Sequence, residues 1–350
     1  MNAARPAVAR ALLLLLGCLL LASHASGQNV RLKIQSAWSR NMPVLGETIR
    51  NFESRLNAME GHGIRLRVYD ANKLVPTLQI MDAVSSGKVD AGFAFPGYWM
   101  GKLPAAAVFG AVPFGPEAPE YLAWLHEGGG LELWEEIYAK LGVVPIPCGV
   151  IPPEASGWFR EPINSPADLR GLKIRYAGLG GKTLEKLGAS ITMLAAGDIF
   201  LSLERGVLDA TEYSMPAVDK PLGFYKVAKH YYFPGWHQPS SIMELVVNAK
   251  SWAKLSEPQQ AAVRTACDAS TLWSMTRGLA IQGEALAFFE QEGVTIHSWS
   301  PEMMAQFRSA AGEVMQEASA ADPDFKRAWD SLQAFRAQYR HWASIATPED

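Results

Sequence analysis

The sequence predicts an α/β fold of two lobes, with a chain that crosses between the lobes more than once. Strand-type and helix-type patterns alternate along the chain, as in sheets built from β-α-β units. Proline-containing segments interrupt this alternation near residue 150 and again near residue 237. About 320 residues remain after a leader, and at 49% hydrophobic content this is more than one core comfortably holds.

The first 27 residues are typical of a signal peptide. Arg5 and Arg10 precede the apolar run 11–22, and small residues at 25–27 suit cleavage by signal peptidase. The run is too short to span a bilayer. The stretch ending at Cys18 resembles a lipoprotein cleavage box, but a cut there would leave apolar residues at the new terminus. We therefore expect an exported protein that begins near residue 28 and is not lipid-anchored.

Charge and cysteine content narrow the class further. The formal net charge is −3, and it becomes −5 when the two leader arginines are removed, because no acid leaves with them. That balance offers no basic surface for nucleic acid. Only Cys148 and Cys267 remain in the exported chain. An oxidising compartment permits a bridge between them, but nothing in the sequence places them together, so we expect two buried thiols.

The secondary-structure elements follow in order from residue 31. Residues 31–35 alternate as a strand, and 43–59 repeat apolar residues every three or four positions as an amphipathic helix. Helix-type patterns separate the later strands, with one helix predicted at about 76–86. The strands are predicted at 64–69, from Val89, and at 143–151, 172–176, 191–194, 208–213 and 243–248.

Two helices are predicted near the C-terminus. Pro258 can open a long helix that reaches about Gln291. The start signal Asp322-Pro323-Asp324 precedes an amphipathic helix rich in aromatic residues. Two interpretations of that helix stay open: it packs on its own body, or it forms the seam of a homodimer. Its apolar positions are Phe325, Trp329, Leu332, Phe335, Tyr339 and Trp342.

The two interruptions divide the chain. The segments 148–153 and 234–239 enclose about 85 residues, which is small for a domain, so later chain must complete it. A cleft between two such lobes is the default ligand site.

Motifs of catalysis and nucleotide binding are not found by inspection. Tyr176 stands where a P-loop needs its first glycine, and Thr183 stands where a dinucleotide fingerprint needs its third. No Gly-x-Ser-x-Gly elbow is present. The histidines of the exported chain show no metal-binding spacing. One of them, His237, lies in a loop; it could point into a cleft, but we expect an ordinary surface histidine.

Arg175 is the first candidate for ligand binding. It follows Leu172 and Ile174 on a strand that should be buried, where an unpaired guanidinium is very unfavourable. It therefore needs a carboxylate, supplied either by the protein or by a ligand. A guanidinium suits the second role because its planar fork binds a carboxylate through two parallel hydrogen bonds.

Two glutamates and several aromatic residues complete the candidate set. Glu212 ends a predicted strand, and strand ends of parallel sheets border the ligand crevice. Glu154 falls at the first crossing. Either acid could neutralise Arg175 or hold a hard cation. Aromatic residues at element ends often form the walls of small-ligand pockets. Those in such positions are Trp38, Tyr98, Trp99, Trp158, Tyr213 and Trp236.

With these residues in view, the chain resembles the solute-binding receptors of tripartite ATP-independent periplasmic (TRAP) transporters. The similarity is carried by the stretches 38–56, 82–115 and 169–236 and by "GWFR" at 157–160. Within that family it is most similar to the subtype that binds 2-oxo acids and related monocarboxylates. The resemblance implies a periplasmic receptor that closes over a small organic acid and delivers it to the membrane subunits of a TRAP permease. It also implies the periplasmic binding protein fold, with an inter-lobe helix.

The resemblance assigns roles to individual residues. Arg175 matches the arginine that holds the substrate carboxylate, and Glu212 matches a metal-ligating glutamate. Tyr213 matches an aromatic residue whose backbone carbonyl also ligates the metal, in place of the more usual tryptophan. Glu154 stands where the subtype usually has glutamine, another metal ligand. Trp38, Tyr98 and Trp158 are expected to shape the substrate pocket.

Because Glu154 adds a second acid to the site, the sequence does not decide which cation is bound, or whether any is. Glu154 could favour Ca²⁺ over Na⁺ in a site that bridges the substrate carboxylate, or it could pair with Arg175 or with an amine of the substrate. No nucleotide is expected. Two other functions are kept as alternatives: a secreted, metal-assisted enzyme acting on a carboxylate, and a binding protein that serves a sensor.

The domain boundaries are predicted as follows. A signal peptide covers 1–27, one lobe combines 28–151 with about 239–281, and the other combines 152–238 with about 282–322. The C-terminal helix covers 323–350.

Overall fold

The computed structural model describes residues 29–346. The predicted signal peptide and Cys18 lie outside this range. None of the helices described is long and apolar enough to cross a membrane.

Strands and helices alternate as predicted. The strands are β1 (Val30–Ser36), β2 (Ile64–Tyr69), β3 (Ala91–Ala94), β4 (Val143–Ile151), β5 (Gly157–Phe159), β6 (Lys173–Arg175), β7 (Ser190–Thr192), β8 (Ala210–Thr211), β9 (His230–Phe233), β10 (Ser241–Asn248) and β11 (Thr295–Ser298). The helices are α1 (Leu45–Ala58), α2 (Ile80–Ser85), α3 (Ala106–Gly110), α4 (Ala118–Glu127), α5 (Gly130–Ala139), α6 (Gly178–Lys186), α7 (Ala196–Glu204), α8 (Pro216–Asp219), α9 (Ala249–Trp252), α10 (Glu257–Ala280), α11 (Gln282–Gln291), α12 (Pro301–Ala321) and α13 (Pro323–Ala346). Short 3₁₀ turns lie at Thr77–Gln79, Pro96–Trp99, Pro166–Leu169, Lys220–Leu222 and Phe224–Lys226.

The first helix shows how the sequence pattern becomes structure. Its apolar face buries Ile49, Phe52 and Leu56. At its start, the carboxylate of Glu47 accepts a hydrogen bond of 3.2 Å from the backbone N–H of Val44. This contact satisfies a donor that the helix itself leaves free and also places a negative charge at the positive end of the helix.

The strands form two sheets. The first has the order β2-β1-β3-β10-β4, and the second has the order β11-β9-β5-β8-β6-β7. The chain leaves the first sheet at the end of β4, builds most of the second, and returns through β10. The predicted α/β class with segments crossing between two lobes is confirmed. The residue limits of each lobe remain a prediction.

Both sheets contain antiparallel as well as parallel pairs. β1 pairs in parallel with β2 and β3, but β10 runs antiparallel to both β3 and β4. In the second sheet β5 is antiparallel to β8 and β9. These exceptions are strands that enter a sheet directly from a crossing rather than through a helix. They therefore arrive from the opposite end of the sheet.

The two strand crossings lie side by side. The backbone N–H of Gly235 donates to the carbonyl of Glu154 at 3.0 Å. A Cβ at position 235 would lie 2.3 Å from that same oxygen, so only glycine lets the segments approach so closely. A third connection is the long helical stretch from α10 to α11, which is interrupted at Ile281.

The expectation of two buried thiols is also wrong. Cys148 on β4 and Cys267 on α10 are joined in a disulfide, with their Cα atoms 4.2 Å apart. The bridge attaches the long helix to the first sheet across 119 residues of sequence. Closing a loop of that length in the unfolded chain is worth about 4–5 kcal/mol in the loop-entropy treatment.

The last helix, α13, packs on its own body along one face. Phe325, Ala328 and Leu332 are buried, and the side chain of Arg336 donates from Nε to Oε1 of Glu120 at 3.1 Å. Near its end, Trp342 and Ile345 are exposed.

Candidate functional site

The predicted site residues meet in a small cavity between the sheets, beside the two strand crossings. The cavity volume is about 20 Å³, roughly the space that one water molecule needs. Six of the residues singled out from sequence contribute to its wall: Trp38, Tyr98, Glu154, Arg175, Glu212 and Tyr213. The remaining residues of the cavity wall are Leu45, Phe95, Ile151, Ala177, Ser214 and Gln238.

Arg175 lies at the end of β6 with only 1% of its surface exposed. In the parallel pairing with β8 it stands opposite Thr211, so the next residue, Glu212, lies beside it. Its Nη1 donates to Oε2 of Glu212 at 2.9 Å and also to the backbone carbonyl of that residue. Its Nε donates to the carbonyl of Leu194 at 3.2 Å. The buried guanidinium thus has a carboxylate from the protein itself.

Glu212 is buried at the N-terminus of α6. Its Oε2 accepts a hydrogen bond of 3.3 Å from the backbone N–H of Ala177, which precedes the helix. Burial opposes ionisation of this carboxyl. The positive charge of Arg175 and the hydrogen bond from the backbone N–H of Ala177 outweigh burial and hold the pKa of Glu212 below its ordinary value. Glu212 is therefore a carboxylate at neutral pH.

Glu154 follows β4 at the first crossing and is also buried. Ser214 donates from Oγ to Oε1 of Glu154 at 2.9 Å. Burial raises the pKa of Glu154 well above its ordinary value, and the negative charge of Glu212 raises it further. The two carboxyls thus differ in the way expected of close acids when only one has a cationic partner.

His237 brings the two acids into one cluster. Its Nε2 lies 3.7 Å from Oε2 of Glu154 and 3.6 Å from Oε1 of Glu212. The imidazole is 1% exposed, so the expectation of a surface histidine is wrong. A Cβ at Gly180 would lie 2.6 Å from Cβ of His237, so the glycines after Arg175 make room for this side chain.

The cluster presents three ligand atoms that lack partners. Among residues 29–346, no donor within hydrogen-bond distance reaches Oε2 of Glu154 or Oε1 of Glu212, and Nε2 of His237 is likewise unpaired. Ligand atoms of these three side chains lie within 4.8 Å of one another. Buried carboxylate oxygens without donors are costly. A cation is the partner that all three atoms fit, so the residues suit a metal ion.

The aromatic wall is formed by three of the predicted residues. The guanidinium carbon of Arg175 lies 5.1 Å from the ring centre of Tyr213, a cation–π distance. Trp38 and Tyr98 have ring centres 6.4 Å apart. Burial raises the pKa of Tyr98 to about 12, although the charge of Arg175 opposes the shift. Tyr98 therefore remains a protonated phenol.

Trp158 does not reach the cavity wall. It is fully buried behind it, stacked on Tyr231 with ring centres 3.8 Å apart. Its Nε1 donates to Oδ2 of Asp219 at 2.8 Å. Its position in the sequence did not show whether Trp158 would line the cavity or pack in the core behind the cavity wall.

Comparison with known proteins identifies the family to which the chain belongs. Residues 34–322 match the family of bacterial extracellular solute-binding proteins, family 7 (DctP). The chain belongs to this family. The resemblance inferred from sequence is therefore confirmed. Members of the family are the solute receptors of TRAP transporters and are not enzymes.

Individual relatives of this DctP-family receptor cover nearly its whole length. The monocarboxylate 2-oxoacid-binding periplasmic protein all3028 of Nostoc sp. is 34% identical over 91% of this chain and 87% of its own. A TRAP solute-binding protein of Bordetella bronchiseptica has a TM-score of 0.89 at 32% identity, over 91% of this chain and 95% of its own. Its crystal is a mixed-occupancy dimer with copurified calcium and picolinate in one site and the other site apo.

A third relative carries a different cation. A TRAP periplasmic solute-binding protein of Pseudoalteromonas atlantica has a TM-score of 0.87 at 31% identity, over 92% of this chain and 100% of its own, with bound sodium and pyruvate. The predicted periplasmic location agrees with the family and with the Nostoc relative. The two alternatives weighed from sequence, a secreted enzyme and a sensor-linked protein, are not supported by these relatives.

The buried pair of Arg175 and Glu212 generates a prediction about stability. Arg175→Ala leaves the Glu212 carboxylate buried without its cation, which costs about 3–5 kcal/mol of unfolding free energy in buried pairs. Urea unfolding of protein freed of ligand and metal measures the loss. Adding Glu212→Gln to the Arg175→Ala variant should restore part of the lost unfolding free energy, because the uncompensated negative charge is removed. The exposed pair between Arg327 and Glu136, 2.8 Å apart, provides the control.

Arg327→Ala should change stability much less, because water screens that pair. An Arg175→Ala loss no larger than this control would contradict the account of a buried charge that depends on its partner.

Proposed function

We propose that this receptor binds a small 2-oxo acid or similar monocarboxylate through a divalent cation in the cavity at Arg175, Glu154 and Glu212. The receptor then delivers the acid to the membrane subunits of a TRAP permease. The observation that carries the proposal is the pair of buried carboxylate oxygens, one on each glutamate, that face His237 without a hydrogen-bond donor. A cation held there would offer its remaining coordination positions to an anionic ligand.

Each residue then has a role. Glu154 and Glu212 would coordinate the cation through Oε2 and Oε1, and Tyr213 would add its backbone carbonyl. Arg175 would hold the substrate carboxylate with the N–H groups that neither Glu212 nor the carbonyl of Leu194 uses, because a guanidinium has five donors. Trp38 and Tyr98 would close the cavity over the ligand. Trp158 would support this wall from behind and contact no ligand atom.

Charge balance favours a divalent cation over sodium. Arg175 supplies one positive charge. The two glutamates and a monocarboxylate supply three negative charges once a bound cation replaces the proton that burial favours on Glu154. A cation of charge two makes this buried group neutral if His237 is uncharged. Sodium would leave one negative charge in a site that water hardly reaches, and such a charge is costly.

The relatives support the ligand class. The Nostoc protein is named for monocarboxylate 2-oxo acids, and the two structures hold pyruvate with sodium and picolinate with calcium. Pyruvate and picolinate each present a carboxylate next to a second donor atom. The cavity of about 20 Å³ is smaller than either acid, so hinge motion of the lobes would have to widen it before such a ligand enters.

Calorimetric titration of pyruvate into protein stripped of metal tests this function. We expect binding in a buffer containing calcium and at least a tenfold loss of affinity in excess chelator, equivalent to about 1.4 kcal/mol. Glu154→Gln keeps the shape of the side chain and removes the second negative charge, so it should narrow the advantage of calcium over sodium. Equal pyruvate affinity with and without chelator would contradict a cation-bridged site.

We also propose a homodimer formed through the C-terminal helix α13. Trp342 and Ile345 are 59% and 76% exposed at its end, whereas Phe325 and Leu332 are buried against the body. An exposed tryptophan and isoleucine on one helix suit an apolar contact with a second copy. Sedimentation equilibrium should show dimers that Trp342→Ser weakens, and a monomer at every concentration tested would contradict the proposal.

A further inference from the structure

His237 is the least explained group beside the cavity, where it adjoins the two glutamates of the wall. It is 1% exposed, and neither ring nitrogen has a hydrogen-bond partner among the described residues. A buried polar side chain in that condition is uncommon, since most find a donor or acceptor. Its Nε2 faces Oε2 of Glu154 and Oε1 of Glu212 at nearly equal distances, 3.7 and 3.6 Å. A cation bound between the two carboxylates would therefore also lie next to Nε2 of the imidazole.

The surrounding packing holds the ring in that position. Tyr176 meets the imidazole edge-on with ring centres 4.7 Å apart, and Trp236 packs at 5.8 Å. On its third side the histidine faces Gly180, where even a Cβ atom would lie only 2.6 Å from Cβ of His237. With three close neighbours, Nε2 has little freedom to turn away from the glutamates. Such restriction is what a preorganised ligand position requires.

The nitrogen changes which cations the site suits. Sodium and calcium prefer oxygen ligands, and an amide oxygen at this position would serve them better than an imidazole. Neutral imidazole nitrogen is a preferred ligand of divalent transition ions such as iron, nickel, copper and zinc. Two carboxylates, one imidazole, the carbonyl of Tyr213 and two donor atoms from a chelating acid would supply six ligand atoms to such an ion.

We propose that His237 is a further protein ligand of the cation, beside Glu154, Glu212 and the backbone carbonyl of Tyr213, and makes the site selective for a borderline divalent transition ion, such as Co²⁺, Ni²⁺ or Zn²⁺. The substrate class becomes acids that chelate such ions, with a 2-oxo group or a ring nitrogen next to the carboxylate. The proposal rests on the proposed function, because it concerns the same cavity. The proposal goes beyond that function because it makes His237, which was not among the site residues predicted from sequence, responsible for the choice of metal.

The competing explanation is that His237 carries a proton and acts as a cation toward both glutamates. A charged imidazole cannot ligate a metal. That explanation predicts that the choice between cobalt and calcium does not depend on this side chain.

His237→Gln is the variant that separates the two explanations. A glutamine at 237 can bring its amide oxygen close to the present position of Nε2, so a metal ligand is kept but nitrogen becomes oxygen. Losing even an outer-shell partner of a metal ligand costs about 10–100-fold in affinity. We therefore expect His237→Gln to weaken Co²⁺ at least tenfold while leaving Ca²⁺ unchanged or tighter, each measured by calorimetry with saturating pyruvate. Glu154→Gln is the matched control, because it keeps the imidazole and should weaken both ions.

Retained calcium and pyruvate binding shows that His237→Gln is folded. A second measurement needs no variant: pulsed EPR of wild-type protein with Cu²⁺ and pyruvate should show coupling to an imidazole nitrogen. Equal losses of Co²⁺ and Ca²⁺ in the variant, or no nitrogen coupling in wild type, would overturn the assignment of His237 while cation-dependent pyruvate binding stands. Absence of pyruvate binding with every cation would instead overturn the proposed function and this inference together.

Discussion

The burial of charge between the two sheets is the constraint on which the rest of the structure depends. Arg175, Glu154 and Glu212 are each no more than 3% exposed, and the unpartnered imidazole of His237 lies among them. An ionised group in such surroundings is stable only with a partner close by. The guanidinium has Glu212, and Glu212 has the N-terminus of α6 as well. Glu154 has only a serine hydroxyl, so the cluster contains one more acid than its own cation can neutralise.

The fold is arranged to place these groups together. Parallel pairing of β6 and β8 sets Arg175 beside Glu212. The other two groups come from the crossings, where Glu154 leaves the first sheet and His237 returns to it. These crossings approach closely because Gly235 carries no side chain, and Gly180 gives the imidazole its space. Both crossings connect the lobes, so a ligand that binds this cluster contacts the segments that must move when the receptor opens.

The sequence predicted the parts of this arrangement that depend on one local pattern. Arg175 stood out because a guanidinium on a buried strand needs a carboxylate, and Glu212 because it ended a predicted strand, where ligand crevices lie. His237 was considered for a cleft but expected at the surface, although it lies in the same kind of crossing segment as Glu154. Applying one argument to both crossings would have found it. The disulfide, the antiparallel strands and the inward position of Trp158 depend on contacts between distant segments, which no local pattern encodes.

A crystal structure with pyruvate and Mn²⁺, with the ion located by anomalous diffraction, tests the central claim most directly. The account predicts one anomalous peak within about 2.6 Å of Oε2 of Glu154 and Oε1 of Glu212. The pyruvate carboxylate should contact both that ion and the guanidinium of Arg175. A cation bound elsewhere, or pyruvate held by Arg175 with no ion between the two glutamates, would contradict it.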